Sequence, residues 1–163
     1  MNLKKNIVNF IIIIIIFLID RISKVYILTL TEINNGLDIY VNPYLNLYLI
    51  WNKGIAFGLL SFDIDIIYNL ISILIVLICV IIFITLFKSS GVMKYSLTSV
   101  FGGAISNLFD RFYYAAVPDF IDIHINNYHW FIFNVADIFI TIGVISMIYA
   151  EIFLNKGSDE KIF

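Results

Sequence analysis

Residues 66–87 read IIYNLISILIVLICVIIFITLF, a run of 22 residues without a charged side chain. At 1.5 Å per residue a helix of this length extends roughly 33 Å, enough to cross a hydrocarbon core of about 30 Å. No other stretch of the chain stays uncharged for so long. The run therefore predicts a membrane-spanning helix, and the rest of the chain is interpreted around it.

The composition supports lipid as the main solvent. Of 163 residues, 61% are hydrophobic and 13% charged, whereas a soluble domain has about 25% charged residues. The net charge of −2 gives no reason to expect a nucleic-acid partner. The single cysteine, Cys79, lies within the apolar run, which excludes an internal disulfide and argues against a metal site built on sulfur.

Three further spans are expected on either side of this run. The first contains Asp20, Arg21 and Lys24. Lys4 and Lys5 precede it, as in a secretory signal, but no small-residue cleavage site follows, so we expect an uncleaved helix. The predicted fold is an all-α membrane protein, a four-helix transmembrane bundle in one domain, 1–163, with spans at about 6–28, 66–87, 95–112 and 131–153.

Lysines predict the orientation. If the chain crosses the membrane four times, three pairs of lysines fall on one side of it. In the loops on the opposite side, Lys53 is the only lysine that lies outside the predicted helices. The positive-inside rule then places both termini in the cytoplasm. The pairs on the cytoplasmic side are Lys4 and Lys5, Lys88 and Lys94, and Lys156 and Lys161.

The outer segment between the first two helices has a different pattern. Leu45, Leu47 and Leu49 alternate with other residues at a period close to two, after a turn at Pro43. This alternation predicts a small extracytoplasmic β-cradle at about 37–60. A plain amphipathic strand covering the helix ends is the alternative.

Polar residues of three predicted helices and one loop reach the same depth, near the outer face. Asp20 and Lys24 are four residues apart, on one face of their helix. Charged groups at such depth are costly and mark candidate functional sites. For most of these residues, a structural role in ion pairs or in hydrogen bonds between helices is as good an explanation as a chemical role. The other members are Asn107, Asp110, Arg111, Asp119, Asn134 and Asp137.

Asp119 and Asp137 differ because no basic residue lies close to either in sequence. Two carboxyls close together in a low-dielectric site cannot both ionise, so they share a proton. The ionised one can act as general base on water, and the protonated one can polarise a scissile carbonyl. His124 and His129, five apart in a predicted loop, could hold a metal but more often such residues are merely interfacial.

Five motifs, in order, closely resemble bacterial lipoprotein signal peptidase, the signal peptidase II family. They cover nearly the whole chain, and together they are highly specific. Two positions depart from the usual pattern: Ser106 stands where Gly is usual, and Pro118 where a β-branched residue is common. The motifs are DRISK (20–24), NKGIAFG (52–58), GGAISNLFDR (102–111), VPDFID (117–122) and FNVAD (133–137).

The resemblance implies that Asp119 and Asp137 are a catalytic aspartate dyad. The implied substrate is a diacylglyceryl-modified prolipoprotein, cleaved before the lipidated cysteine by a monomer in the bacterial inner membrane. The resemblance implies no metal or organic cofactor. It also implies supporting roles for Asp20, Lys24, Asn52, Gly54, Asn107, Asp110, Arg111, Asn134 and Ala136.

Two other classes of protein remain possible from the residues alone. In a small ion-coupled transporter or proton channel, Asp119 and Asp137 would form a relay, but polar residues should then line a path across the membrane. The inner half of each predicted helix is nearly devoid of them. A non-enzymatic membrane assembly subunit would leave Asp119 unexplained in its loop.

Overall fold

The computed structural model describes residues 3–54, 65–126 and 128–154. The helices are α1 (Leu3–Asn34), α2 (Asp65–Lys88), α3 (Gly91–Tyr114) and α4 (Val135–Tyr149), the last continuing into a π-helical turn, Ala150–Leu154. The strands are β1 (Asp38–Asn42), β2 (Leu45–Asn52), β3 (Val117–Ile125) and β4 (Tyr128–Phe133).

The surface of the helices is apolar. Among the described residues, two segments are long and apolar enough to cross a membrane, Tyr68–Lys88 and Val135–Phe153. Only 22% of the most apolar window of each is buried. A helix from the core of a soluble protein would be mostly buried, so these outward-facing side chains are suited to lipid.

Close packing of α3 on α4 depends on glycine. A Cβ on Gly103 would come within 2.5 Å of the carbonyl oxygen of Ala136, and one on Gly143 within 2.8 Å of that of Ser96. Small residues let helix backbones approach in this way. Ser99 adds a hydrogen bond of 2.8 Å to the Phe139 carbonyl. Gly103 and Gly143 therefore allow the backbones of α3 and α4 to approach closely.

The four strands form one antiparallel sheet in the order β1-β2-β3-β4. It follows the C-terminal ends of α1 and α3 in the chain. A buried cluster of Ile27, Leu37 and Phe120 joins α1 to the sheet, with Leu47 and Leu49 packed against it. The alternating leucines of β2 thus contribute to a core, as their period predicts.

The predicted fold is confirmed in part: the protein is mostly helical and has a small sheet, but the sheet is not confined to the segment between the first two helices. Two of the four strands, β3 and β4, lie in a segment that the sequence analysis treated mainly as a loop. Because β4 occupies residues 128–133, the last helix starts at Val135 rather than at 131. Pairing with β2 and β4 satisfies the backbone of β3 on both sides. Residues 38–42 and 45–52 are strands as expected, while 55–60 lie outside the described residues.

Candidate active site

Asp119 lies near the start of β3, opposite Ile50 of β2. It is only 2% exposed. The side-chain amide of Asn52 donates to its Oδ2 at 2.8 Å, and that of Asn134 donates to its Oδ1 at 2.6 Å. Both oxygens of a buried carboxyl are therefore held by neutral donors, which fix its orientation without neutralising its charge.

Asp137 lies in the first turn of α4. It forms a capping box with Asn134, whose Oδ1 accepts from the Asp137 N–H at 3.1 Å while the Asn134 N–H donates to Asp137 Oδ2 at 3.2 Å. The side-chain amide of Asn107 donates to the remaining oxygen, Oδ1, at 2.9 Å. The helix start thus positions this carboxyl as part of its own cap.

Asn134 connects the two acids, because its amide holds Asp119 while its carbonyl and backbone hold Asp137. Both carboxyls line one cavity of about 140 Å³. A water molecule takes about 30 Å³ in the liquid, so the cavity has room for a nucleophilic water beside a segment of substrate. The lining residues are Asn52, Ile75, Ala104, Asn107, Arg111, Val117, Asp119, Asn134, Asp137 and Ile140.

The environment of Asp119 favours its protonated form. Burial raises the pKa of Asp119 to about 7, and the nearby charge of Asp137 also raises it. The hydrogen bonds from Asn52 and Asn134 and the charge of Lys24 oppose this shift. A carboxyl with a pKa near neutrality can both hold and release a proton at physiological pH, as acid–base catalysis requires.

A buried ammonium lies behind the acids. Lys24, fully buried, contacts Oδ2 of Asp20 at 2.7 Å and Oδ2 of Asp110 at 2.6 Å. It also donates to Oδ1 of Asn107 at 2.8 Å. Because Asn107 in turn donates to Asp137, this amide is held in one orientation and links the ion cluster to the candidate site.

Asp20 joins α1 to both α3 and α4. Its Oδ1 accepts from the backbone N–H of Ala136 at 2.8 Å, and its Oδ2 accepts from Ser106 at 2.6 Å. Ser106 therefore makes a hydrogen bond that a glycine at this position, the residue expected from the motif, could not make. Pro118, fully buried, pairs with Trp51 beside Asp119 in the sheet.

The charge partners of Asp110 come from α1. Asp110 Oδ1 accepts from Arg21 at 2.5 Å, and its other oxygen contacts Lys24. Arg111, the next residue along the helix, lies on another side and donates to the carbonyl of Gly54. Helical neighbours are about 100° apart around the axis, so adjacent side chains do not face each other. Sequence reasoning gave Arg21 no role, although its place inside a predicted span was a signal.

Residues 52–54 are fixed by this contact. The Gly54 N–H donates to Oδ1 of Asn52 at 2.8 Å, while its carbonyl accepts from Arg111. Tyr68 of α2 in turn donates to the backbone carbonyl of Arg111 at 2.9 Å. Arg111 of α3 thus fixes Gly54 beside Asn52, and Tyr68 ties α2 to the same turn of α3.

The charged groups at and beside the cavity include one more carboxyl than cation among the described residues. Within the described residues at and beside the cavity, four carboxyls, Asp20, Asp110, Asp119 and Asp137, accompany three cations, Arg21, Lys24 and Arg111. One proton on the acids makes the set neutral, and a net buried charge is costly. Because Asp20 and Asp110 directly contact cations, Asp119 and Asp137 are the acids best placed to share a proton.

The chain is similar to one protein family over nearly its whole length. The sequence model of the family described as Signal peptidase (SPase) II matches residues 12–153. A "Lipoprotein signal peptidase" of Pelagibacter ubique is 52% identical over 98% of this chain and 97% of its own length. One of Anaplasma phagocytophilum is 40% identical, over 92% and 95%.

Solved structures agree. A bacterial membrane enzyme determined by the in meso method at 2.3 Å resolution superposes with a TM-score of 0.73, at 30% identity, over 96% of this chain and 93% of that one. A second, at 1.9 Å, gives a TM-score of 0.69 at 31% identity, over 90% and 93%. Sequence and fold therefore agree that this chain belongs to the signal peptidase II family of membrane proteases.

Proposed function

We propose that the protein removes signal peptides from diacylglyceryl-modified prolipoproteins, with Asp119 and Asp137 as its catalytic dyad. The observation that carries the proposal is that both buried carboxyls line one cavity and are held by the same residue, Asn134. An aspartic mechanism needs two acids that share a proton next to a site for water. The cut is made before the lipidated cysteine.

In the proposed mechanism the ionised aspartate removes a proton from water in the cavity. The resulting nucleophile attacks the scissile carbonyl carbon, while the protonated aspartate donates its proton to the carbonyl oxygen. The acid that gained the water proton then gives it to the leaving nitrogen as the C–N bond breaks. The tetrahedral hydroxyl returns its proton to the other carboxylate, so the dyad ends with the one proton with which it began.

The supporting residues act through the two acids or through the chain beside them. Lys24, Asp20 and Asp110 form the ion cluster that orients Asn107, and Asn107 orients Asp137. Ala136 ties the start of α4 to Asp20. On the sheet side, Asn52, Gly54 and Arg111 form a polar wall beside Asp119 where an extended peptide backbone can bind.

We further propose a four-helix transmembrane bundle in one domain, with both termini in the cytoplasm and the sheet at the outer face of the bacterial inner membrane. Lys94 near the start of α3 donates to Asn6 near the start of α1 at 2.8 Å. The lysine-rich helix starts are therefore together, and the sheet follows the opposite ends. All the proposed site residues come from one chain, which is consistent with a monomer.

The direct test incubates purified protein in detergent with a diacylated prolipoprotein and follows signal-peptide release by mass spectrometry. Asp119→Asn and Asp137→Asn should each lower turnover by at least about 100-fold, because an amide cannot exchange the required proton. The matched control is Asp38→Asn, an exposed acid of the same sheet, which should cleave at the wild-type rate. Substantial turnover by either dyad variant contradicts the assignment.

A further inference from the structure

A second group of ionisable side chains lies on the β3–β4 hairpin. Asp122 and His124 belong to β3, and His129, directly opposite His124, belongs to β4. One ligand atom of each lies within 4.8 Å of the others. None of the three lines the cavity that holds Asp119 and Asp137.

The geometry converges on one carboxylate oxygen. Oδ2 of Asp122 lies 2.8 Å from Nδ1 of His129 and 3.7 Å from Nδ1 of His124. The two imidazole rings stack with centroids 5.0 Å apart. Ligand atoms around a tetrahedral Zn²⁺ are separated by about 3.3 Å, from metal–ligand distances near 2.0 Å. Small side-chain rotations therefore bring the three atoms to the separation a metal requires.

Unmet hydrogen-bonding capacity distinguishes this group from a simple ion pair. Asp122 is 3% exposed and His124 is 8% exposed. Within the described part of the chain, Asp122 Oδ1 and His124 Nδ1 are buried and have no hydrogen-bond partner. Unsatisfied buried polar atoms are costly, so their presence here calls for a ligand.

A third buried polar atom of this kind, Oδ1 of Asn46, belongs to β2. Asn46 pairs directly with Asp122, so the two side chains project from the same face of the sheet. Among the described residues, no partner satisfies its buried Oδ1 either. An amide oxygen there can complete a coordination shell or accept a hydrogen bond from a metal-bound water.

We propose that Asp122, His124 and His129 form a binding site for a late first-row divalent cation, Zn²⁺ being the best match. Two imidazoles and one carboxylate suit such ions, and neither Ca²⁺ nor Mg²⁺ favours nitrogen ligands. The site is separate from the proposed peptidase centre and takes no part in its proton transfers. A bound ion links β3 to β4 and so stabilises the hairpin that carries Asp119, three residues before Asp122.

The chain offers a clean experiment because its only histidines are these two. Untagged protein in detergent is titrated with Co²⁺, which absorbs visibly when bound in a tetrahedral site, and then with Zn²⁺. We expect one Co²⁺ per chain, displaced by one equivalent of Zn²⁺. Zn²⁺ should also raise the Tm of the wild type, because a ligand that binds only the folded state stabilises it.

His129→Gln is the main variant, since this side chain is 56% exposed and its replacement should not disturb folding. It should lose at least about tenfold in Zn²⁺ affinity, because even outer-shell partners of metal ligands contribute that much. Asp38→Asn, which removes an exposed carboxylate from the same sheet, should bind Zn²⁺ as the wild type does. Absence of stoichiometric binding, or equal binding by His129→Gln, overturns the proposal whatever the peptidase assay shows.

Discussion

The side-chain amide of Asn134 donates to Asp119 Oδ1 at 2.6 Å, across the junction between the sheet and the helices. Asn134 is also the N-cap of α4, and its carbonyl oxygen accepts from the Asp137 N–H. One residue thus sets the position of the strand acid and starts the helix that carries the other acid.

The first prediction concerns pH. The pKa of Asp119 is raised to about 7 in the folded protein, whereas an aspartate in the unfolded chain has a pKa of about 3.9. The folded state therefore binds this proton more tightly than the unfolded state does. The free energy of unfolding therefore falls as pH rises from about 4 to about 7, and it stays at this lower value at higher pH. Asp119→Asn cannot ionise, so the Tm of this variant minus that of the wild type should rise between pH 4 and pH 8.

Differential scanning fluorimetry of both proteins in one detergent measures this difference. The absolute Tm of the variant is less informative, because an asparagine has one oxygen for the two amide donors from Asn52 and Asn134. The same pKa predicts that cleavage falls as pH rises above about 7, when the dyad loses its shared proton. A Tm difference that stays constant with pH would contradict the raised pKa.

The second prediction concerns Asn52. Asn52→Ala removes a hydrogen bond to Asp119 and the acceptor for the Gly54 N–H. We expect cleavage to fall by about 10-fold or more, with folded yield nearly unchanged, because residues 52–54 form the proposed substrate wall. Yield is measured by size-exclusion chromatography and cleavage by peptide release. If Asn52→Ala cleaves substrate at the wild-type rate, residues 52–54 do not bind substrate and have only a structural role.

The third prediction compares adjacent glycines of α3. In Gly103→Ala the new Cβ would lie 2.5 Å from the Ala136 carbonyl oxygen, so α3 and α4 must separate beside Asp137. In Gly102→Ala the nearest atoms to the new Cβ belong to the Ile16 side chain, at 3.2 Å, and this side chain can shift slightly. Overpacking costs about 1–3 kcal/mol. Gly103→Ala should therefore lower both Tm and turnover clearly more than Gly102→Ala; equal effects would argue against close backbone packing.

The fourth prediction concerns topology. Reporter fusions after Leu154 or within residues 89–91 should report the cytoplasm, and fusions near Asn35 or Asn126 the outer side. Asn35 and Asn126 suit such fusions, because both lie in turns next to the sheet with positive φ values of 53°. An outer signal from residues 89–91 would reverse the orientation of the whole site.

Much of the site was predictable from sequence because its residues lie in ordered motifs at fixed helical spacing. Asp20 and Lys24 are four residues apart, which brings them together on any helix, and they form an ion pair of 2.7 Å. Long apolar runs likewise require helices in lipid, since each backbone group is then satisfied within its own segment. Those inferences needed no knowledge of how the elements pack.

Other features depended on packing between distant segments. In residues 117–133 a period of two extends only over 121–125, and pairing with β2 and between β3 and β4 completes the strands on either side of it. The partners of Asp110 are Arg21 and Lys24, which lie 89 and 86 residues away in sequence. Local sequence pattern was enough to predict the helices and to select the acids as candidates. Which groups meet depends on packing, because contacts between α1, α3, α4 and the sheet depend on how their faces are turned toward one another.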